Sequence, residues 1–234
     1  GRTTFNTDLS SWDVANVVTL SGTFQNARAF NADIGKWQVG KVTRMNTLFF
    51  HAHAFNSDLS AWDVSKVTTL SQTFSDASAF NSDLSTWDVS KVTTLSSTFQ
   101  QASAFNSDLS TWDVSKVEDF RFMFWHSYKF NSDLSTWVVA SATTIEYIFH
   151  SAWDFNSDLS KWSVSKVTSM RYAFRYALRF EGTYLFCNSS EWDTIPLELT
   201  DFTDSATPGV FHERMYNGET SSSIQQQMEN TFYA

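Results

Sequence analysis

Residues 80–104 read FNSDLSTWDVSKVTTLSSTFQQASA, and the stretch before them, 55–79, matches at 21 of 25 positions. The same pattern extends both ways. Phe5, Phe30, Phe55, Phe80, Phe105, Phe130, Phe155 and Phe180 stand at one fixed interval, with Trp12, Trp37, Trp62, Trp87, Trp112, Trp137 and Trp162 in step beside them. A period of 25 residues means a stacked repeat in which neighbouring units bury each other's apolar side. The chain divides into a repeat region, 1–180, and a non-repeat segment, 181–234, expected to cap the stack or dock elsewhere.

Within the type unit the apolar positions are Phe80, Leu84, Trp87, Val89, Val92, Leu95, Phe99 and Ala102. The spacing of two from Trp87 to Val89 predicts a short inward-facing β-strand. The spacings after Val92 predict one or two helical turns, with Ser90 as their cap. The expected class is therefore an α/β repeat of about seven coils, stacked at ~4.8 Å with a rod length of roughly 34 Å.

The motif F-N-x-D-L-S-x-W-x-V-x-x-V-x-x-L-x-x-x-F-x-x-A is complete from Phe80 to Ala102. The next coil departs from it at Ser127, which replaces the alanine. Over 5–180 the chain resembles the BspA-type leucine-rich repeat, in the 25-residue variant of mycoplasma-type surface lipoproteins and other microbial surface proteins. That resemblance implies a right-handed leucine-rich-repeat-like solenoid used for adhesion or protein binding, without catalytic residues. It points to the cell surface, the extracellular space or an organelle lumen.

Composition narrows the partners. The formal net charge is −9 and the pI is near 4.9, which argues against nucleic acid, because phosphate binding needs surplus Lys and Arg. Cys187 is the single cysteine, so neither an intrachain disulfide nor a cysteine-based zinc cluster is expected. No apolar run reaches membrane-spanning length. Opening in mid-repeat, without Met, the chain is expected to have lost or lacked an upstream segment. No nucleophile–base pair, glycine-rich phosphate loop or metal-ligand motif is evident, so neither an enzyme nor a cofactor is expected.

Two columns, Asn6 to Asn156 and Asp8 to Asp158, recur in every coil. Side chains kept in every coil fit turn hydrogen bonding better than calcium binding. A third column varies: Asp13, Gln38, Asp63, Asp88, Asp113, Val138, Ser163. Three consecutive carboxylates, Asp63, Asp88 and Asp113, repel one another on the expected strand face. Lys66, Lys91 and Lys116 are the favoured compensation, with a bound cation as the alternative. Beside them Thr86, Thr111 and Thr136 make a flat face that suits ordered water or a glycan.

Differences between coils carry the functional information. On the outer side of the expected helical segment, as a helical wheel places it, earlier coils hold Ser, Thr, Gln and Asp, and later ones hold Phe122, Met123, Trp125 and His126; then Tyr147, Ile148, His150 and Trp153; then Arg171, Tyr172, Arg175, Tyr176 and Arg179. Phe122, Trp125, His126, Tyr147, His150, Tyr172, Arg175 and Tyr176 are the expected partner-binding set, because aromatics and Arg dominate protein-binding hot spots. Packing under 181–234 is the competing role, and the sequence leaves both open. A lesser cluster holds Leu48, Phe50, His51 and His53, with no third metal ligand evident. The leading expectation is a non-enzymatic interaction or adhesion scaffold. An accessory structural subunit of a larger assembly, membrane-associated or not, and a glycan- or cation-binding surface are the alternatives.

Overall fold

The computed structural model describes residues 3–180. These form successive 25-residue coils, each laid on the next. Isolated parallel bridges join Thr19, Arg44, Thr69, Thr94, Asp119, Thr144 and Ser169 in one ladder. Among the described residues there is no helix and no extended strand. The bridge ladder lies near Thr94, not at Trp87–Val89 as the spacing predicts. Asp63, Asp88 and Asp113 thus lie between turns, and Thr86 and Thr111 within turns, rather than on a strand face.

The expected helical turns are replaced by chained β-turns, for a reason visible in the amides. In the fourth coil Thr98 N–H donates to Leu95 O and Gln100 N–H to Ser97 O, closing turns within the coil. The alternate amides leave it: Leu95, Ser97, Phe99 and Gln101 donate to Asp119, Arg121, Met123 and Trp125 of the next coil. A helix would turn all of these amides back onto its own carbonyls. Alternation requires left-handed residues at two places per coil, as a turn with φ > 0 at its third residue demands. Ser97 (φ 56°) and Gln101 (φ 58°) occupy them, and Gly22 (φ 68°) and Asn26 (φ 61°) do so in the first coil.

Apolar columns fill the space inside. Phe30, Phe55, Phe80, Phe105 and Phe130 are fully buried, and neighbouring rings in this column stack with centroids 5.9 Å apart. Phe99 of the fourth coil lies on Phe105, the first residue of the fifth, at 3.8 Å. Val92, Leu95, Phe99 and Ala102 are buried, as their spacing predicts. Trp112 is also buried, and its indole Nε1–H donates to Leu84 O of the preceding coil at 3.0 Å. The same bond recurs from Trp37 through Trp162, so each Trp is both filler and inter-coil bolt. Ser127, the departure from the motif, is buried, but its hydroxyl donates to Phe99 O at 2.6 Å.

Polar columns serve the same stack. Asn106 N–H donates to Asn81 Oδ1 at 2.7 Å, and Asn131 repeats the bond onto Asn106. Each Asp of the invariant column accepts the amide two residues on, as Asp83 does from Ser85 at 2.8 Å. The variable column does likewise: Asp63, Asp88 and Asp113 accept from Ser65, Ser90 and Ser115. The hydroxyl bonds of those serines, then their amides, hold the three carboxyls below the usual 3.8. Lysine assists only after these, and Asp63 and Asp88 each raise the next carboxyl of the row. The Ser90 amide serves Asp88 rather than a helix.

Two tests follow from this architecture. Trp112→Phe keeps a ring but drops the indole donor and leaves a void, costing about 2 kcal/mol in denaturant unfolding. Trp12→Phe, at a site 61% exposed, is expected to cost much less; equal effects would refute the bolt. Asp58, Asp83 and Asp133 are lowered chiefly by the backbone amides of Ser60, Ser85 and Ser135. Depressed folded pKa values stabilise the fold above the unfolded value, and this contribution fades as pH falls through them. Thermal midpoints should stay level above about pH 5 and fall below about pH 4; a midpoint unchanged down to about pH 3 would contradict the turn assignment.

Candidate interaction surface

The turn chain that replaces the helix also builds the candidate surface. Small side chains at its two left-handed positions, such as Ser97 and Ser151, are buried, whereas the large ones of the later coils are left partly accessible. In the fifth to seventh coils the first position holds Phe122 (φ 57°), Tyr147 (φ 55°) and Tyr172 (φ 52°). The second holds His126 (φ 57°), Ser151 (φ 57°) and Tyr176 (φ 59°). A bulky side chain at positive φ is uncommon and strained, by ~1–2 kcal/mol per residue. Residues 125, 150 and 175 stand immediately before the second position.

Stacking brings all eight expected residues into one connected cluster. Phe122 and Tyr147 stack at 4.8 Å, and Tyr147 meets Tyr172 at 5.1 Å. Trp125 reaches His150 at 6.2 Å, His126 stacks on His150 at 5.7 Å, and His150 meets the Tyr176 edge at 5.4 Å. The Arg175 guanidinium lies 4.9 Å from both the Tyr172 and Tyr176 ring centroids, and Arg171 lies 4.9 Å from Tyr172. Arg stacked on aromatic rings presents a flat, charged and apolar plane together. These eight residues are half-buried, with outer atoms accessible.

Met123 and Ile148 do not belong to it. Both are fully buried, because they follow the left-handed residue and turn inward, where Thr98 sits in the fourth coil. Tyr128 and Leu178 belong to the surface and were missed. They flank Trp153 in one further column, with Tyr128 and Trp153 rings 4.3 Å apart. Trp153 is 47% exposed and Leu178 58%. Comparison of coils at the Ser103 position would have found them, since the column reads Ser103, Tyr128, Trp153, Leu178.

The polar atoms here are organised. His126 Nδ1 is 2.8 Å from Tyr128 Oη, and burial lowers its pKa, favouring the neutral imidazole. Arg179 pairs with Asp154 at 3.2 Å. Arg121 forks onto the Asp119 carboxylate at 2.8 and 3.0 Å.

The other sequence candidates are more occupied by scaffold. Thr86 and Thr111 donate their hydroxyls to Ser60 O and Ser85 O at 2.7 Å. Lys91 Nζ donates to Ser65 O at 2.9 Å. His51 and His53 both face Asp76 Oδ2, at 3.7 and 2.9 Å. Among the described residues no group of three or more His, Cys, Asp or Glu is arranged to hold a metal ion. No helix among them is long and apolar enough to cross a membrane. The capping role expected of 181–234 lies outside the described residues.

No curated protein matches this chain. A family model described as a Mycoplasma protein of unknown function, DUF285, matches residues 1–84 and 68–192. Those matches span most of the chain and both run along the repeat. The chain therefore belongs to the DUF285 family, a BspA-like repeat family.

Proposed function

We propose that this protein is a non-enzymatic interaction scaffold that binds a protein partner through the aromatic and basic surface of its fifth to seventh coils. The observation that carries the reading is the occupancy of the left-handed positions. The first coil meets the same backbone demand with Gly22 and Asn26, residue types that accept it readily. Phe122, Tyr147, Tyr172 and Tyr176 meet it with large rings, which the fold does not require. Strained residues gathered on one partly accessible face are a recurring mark of functional sites. Aromatics with Arg are also the side chains that carry most binding energy at protein interfaces.

In the finer family reading, the stack is a right-handed leucine-rich-repeat-like solenoid of the 25-residue BspA type, working at a cell surface or in a lumen. Adhesion is then the biological form of the binding. The Asp63, Asp88 and Asp113 column is scaffold in this reading, since its oxygens already accept turn amides.

The test compares two full-length variants as bait against membrane and soluble extracts of the native cell. Phe122→Ser with Trp125→Ser and Tyr147→Ser is expected to lose at least tenfold of a captured protein that the parent retains. Asp63→Asn with Asp88→Asn and Asp113→Asn is expected to retain it. Circular dichroism checks that both are folded. Equal capture by the parent and the aromatic variant would defeat the proposal. In parallel, millimolar calcium is expected to leave the thermal midpoint unchanged, and a clear rise would favour the cation-binding alternative instead.

A further inference from the structure

The junction between the second and third coils departs from its neighbours at one contact. At later junctions a serine of one coil meets a threonine of the next. Thr86, Thr111 and Thr136 donate their hydroxyls to Ser60 O, Ser85 O and Ser110 O at 2.7, 2.7 and 2.8 Å. The corresponding pair at the second junction is Gly35 and Ala61. Every other coil of 5–180 has serine at the Gly35 position. Ala61 is the smallest side chain of its column, which reads Ser11, Lys36, Ala61, Thr86, Thr111, Thr136, Lys161. Both members of one contact are thus cut back together. A cavity of about 350 Å³ lies there, lined by Asp33, Gly35, Lys36, Ser57, Asp58 and Ala61.

The polar atoms of this cavity form a mixed set. Asp33 and Asp58 each accept a turn amide through Oδ1, from Gly35 at 3.0 Å and from Ser60 at 2.8 Å. A carboxylate offers about four lone-pair sites, so each retains acceptor capacity beyond that bond. Ala61 has no hydroxyl, so Gly35 O lacks the bond that Ser60 O receives. Lys36 adds an ammonium donor. The Ser57 hydroxyl is occupied by Asn31 O and Ala32 O at 3.0 Å and serves as wall. Asp33, Lys36, Asp58 and Ala61 are exposed, so the cavity opens to solvent. The glycine is also required where it stands, because a Cβ there would lie 2.7 Å from Asp58 O.

We propose that this cavity binds a saccharide, a neutral ring carrying adjacent hydroxyl groups. Charge selects that class. Two carboxylates repel an anionic ligand, and the Lys36 ammonium opposes a metal cation or an amine. Hard cations also want several convergent oxygens. A sugar hydroxyl both donates and accepts. Adjacent hydroxyls therefore donate to the two carboxylates and to Gly35 O, and accept from Lys36. Hydrogen bonds to ionised groups are the stronger kind, and the Ala61 methyl offers apolar contact to a sugar C–H face. The volume lies at the low end for small-ligand sites, which suits a short saccharide. The cavity belongs to the second and third coils and the aromatic surface to the fifth to seventh, so the two readings stand or fall separately.

The test is saturation-transfer NMR of the full chain with millimolar glucose, galactose, mannose, xylose or N-acetylglucosamine, each alone. At least one sugar is expected to receive transfer from the parent. Ala61→Thr installs the side chain that the fold accepts at Thr86, fills the cavity and covers Gly35 O. It is expected to cut transfer at least fivefold, with a urea midpoint unchanged or higher. Asp33→Asn with Asp58→Asn keeps the Oδ1 acceptor of each turn and makes the second oxygen a donor. It is expected to cut transfer similarly, with circular dichroism unchanged. The aromatic variant, Phe122→Ser with Trp125→Ser and Tyr147→Ser, is expected to keep the transfer. No transfer to any of these sugars, or transfer that persists in either folded cavity variant, overturns the proposal. Transfer lost only in the aromatic variant also overturns it, placing the sugar on the other surface.

Discussion

The alternation of amides between turn and neighbouring coil governs this molecule. Ser97 N–H reaches Arg121 of the next coil, Thr98 N–H closes a turn on Leu95, and Phe99 N–H reaches Met123. Each coil thereby spends half of this stretch on its own curvature and half on its neighbour. The pattern needs two left-handed residues per coil, and each appears at the same place throughout the described stack. Apolar burial by the Phe, Trp and Leu columns supplies the main driving force. The amides fix the register, so that every side chain lies over its counterpart 25 residues away. Columns are the result: identical side chains in register make scaffold, and divergent ones make surface.

That division explains what was legible in the sequence. The period, the buried columns and the shared role of the Asn and Asp positions follow from repetition, because a residue kept in every coil answers a demand that every coil makes. The aromatic cluster followed from the failure of repetition. Local conformation was much less legible. The spacing from Val92 to Ala102 fits helical periodicity, but turns alternating inward and outward place Val92, Leu95, Phe99 and Ala102 inside equally well. Only the left-handed φ values separate the two, and Ser97 or Gln101 does not announce them as glycine would. Met123 and Ile148 were assigned outward for the same reason, since a helical wheel misplaces residues along a turn chain.

The later coils depart from the scaffold in a particular way. They keep Phe124, Phe149 and Phe174 in the core column and keep the inter-coil amide bonds up to the last pair of described coils. They change the residues at the left-handed corners and just beyond them. Such corners are advantageous for display: the backbone there is held on both sides by hydrogen bonds, so a large ring is presented in a fixed direction. Phe122 on Tyr147 and Arg175 between Tyr172 and Tyr176 then form a preorganised face, and in the proposed binding role such preorganisation would lower the entropy lost on association.

The central claim is that these rings serve the surface and not the fold. Its most direct test is the unfolding free energy of the full chain carrying Phe122→Gly, Tyr147→Gly and Tyr172→Gly, the residue the first coil uses at this corner. Relief of left-handed strain, about 1 kcal/mol per site, opposes the loss of ring contacts of about 0.5–1.5 kcal/mol each. The account expects urea denaturation to give a stability within about 2 kcal/mol of the parent, with an unchanged slope. A loss of more than about 5 kcal/mol would show that the aromatic column holds the stack together, and would contradict it.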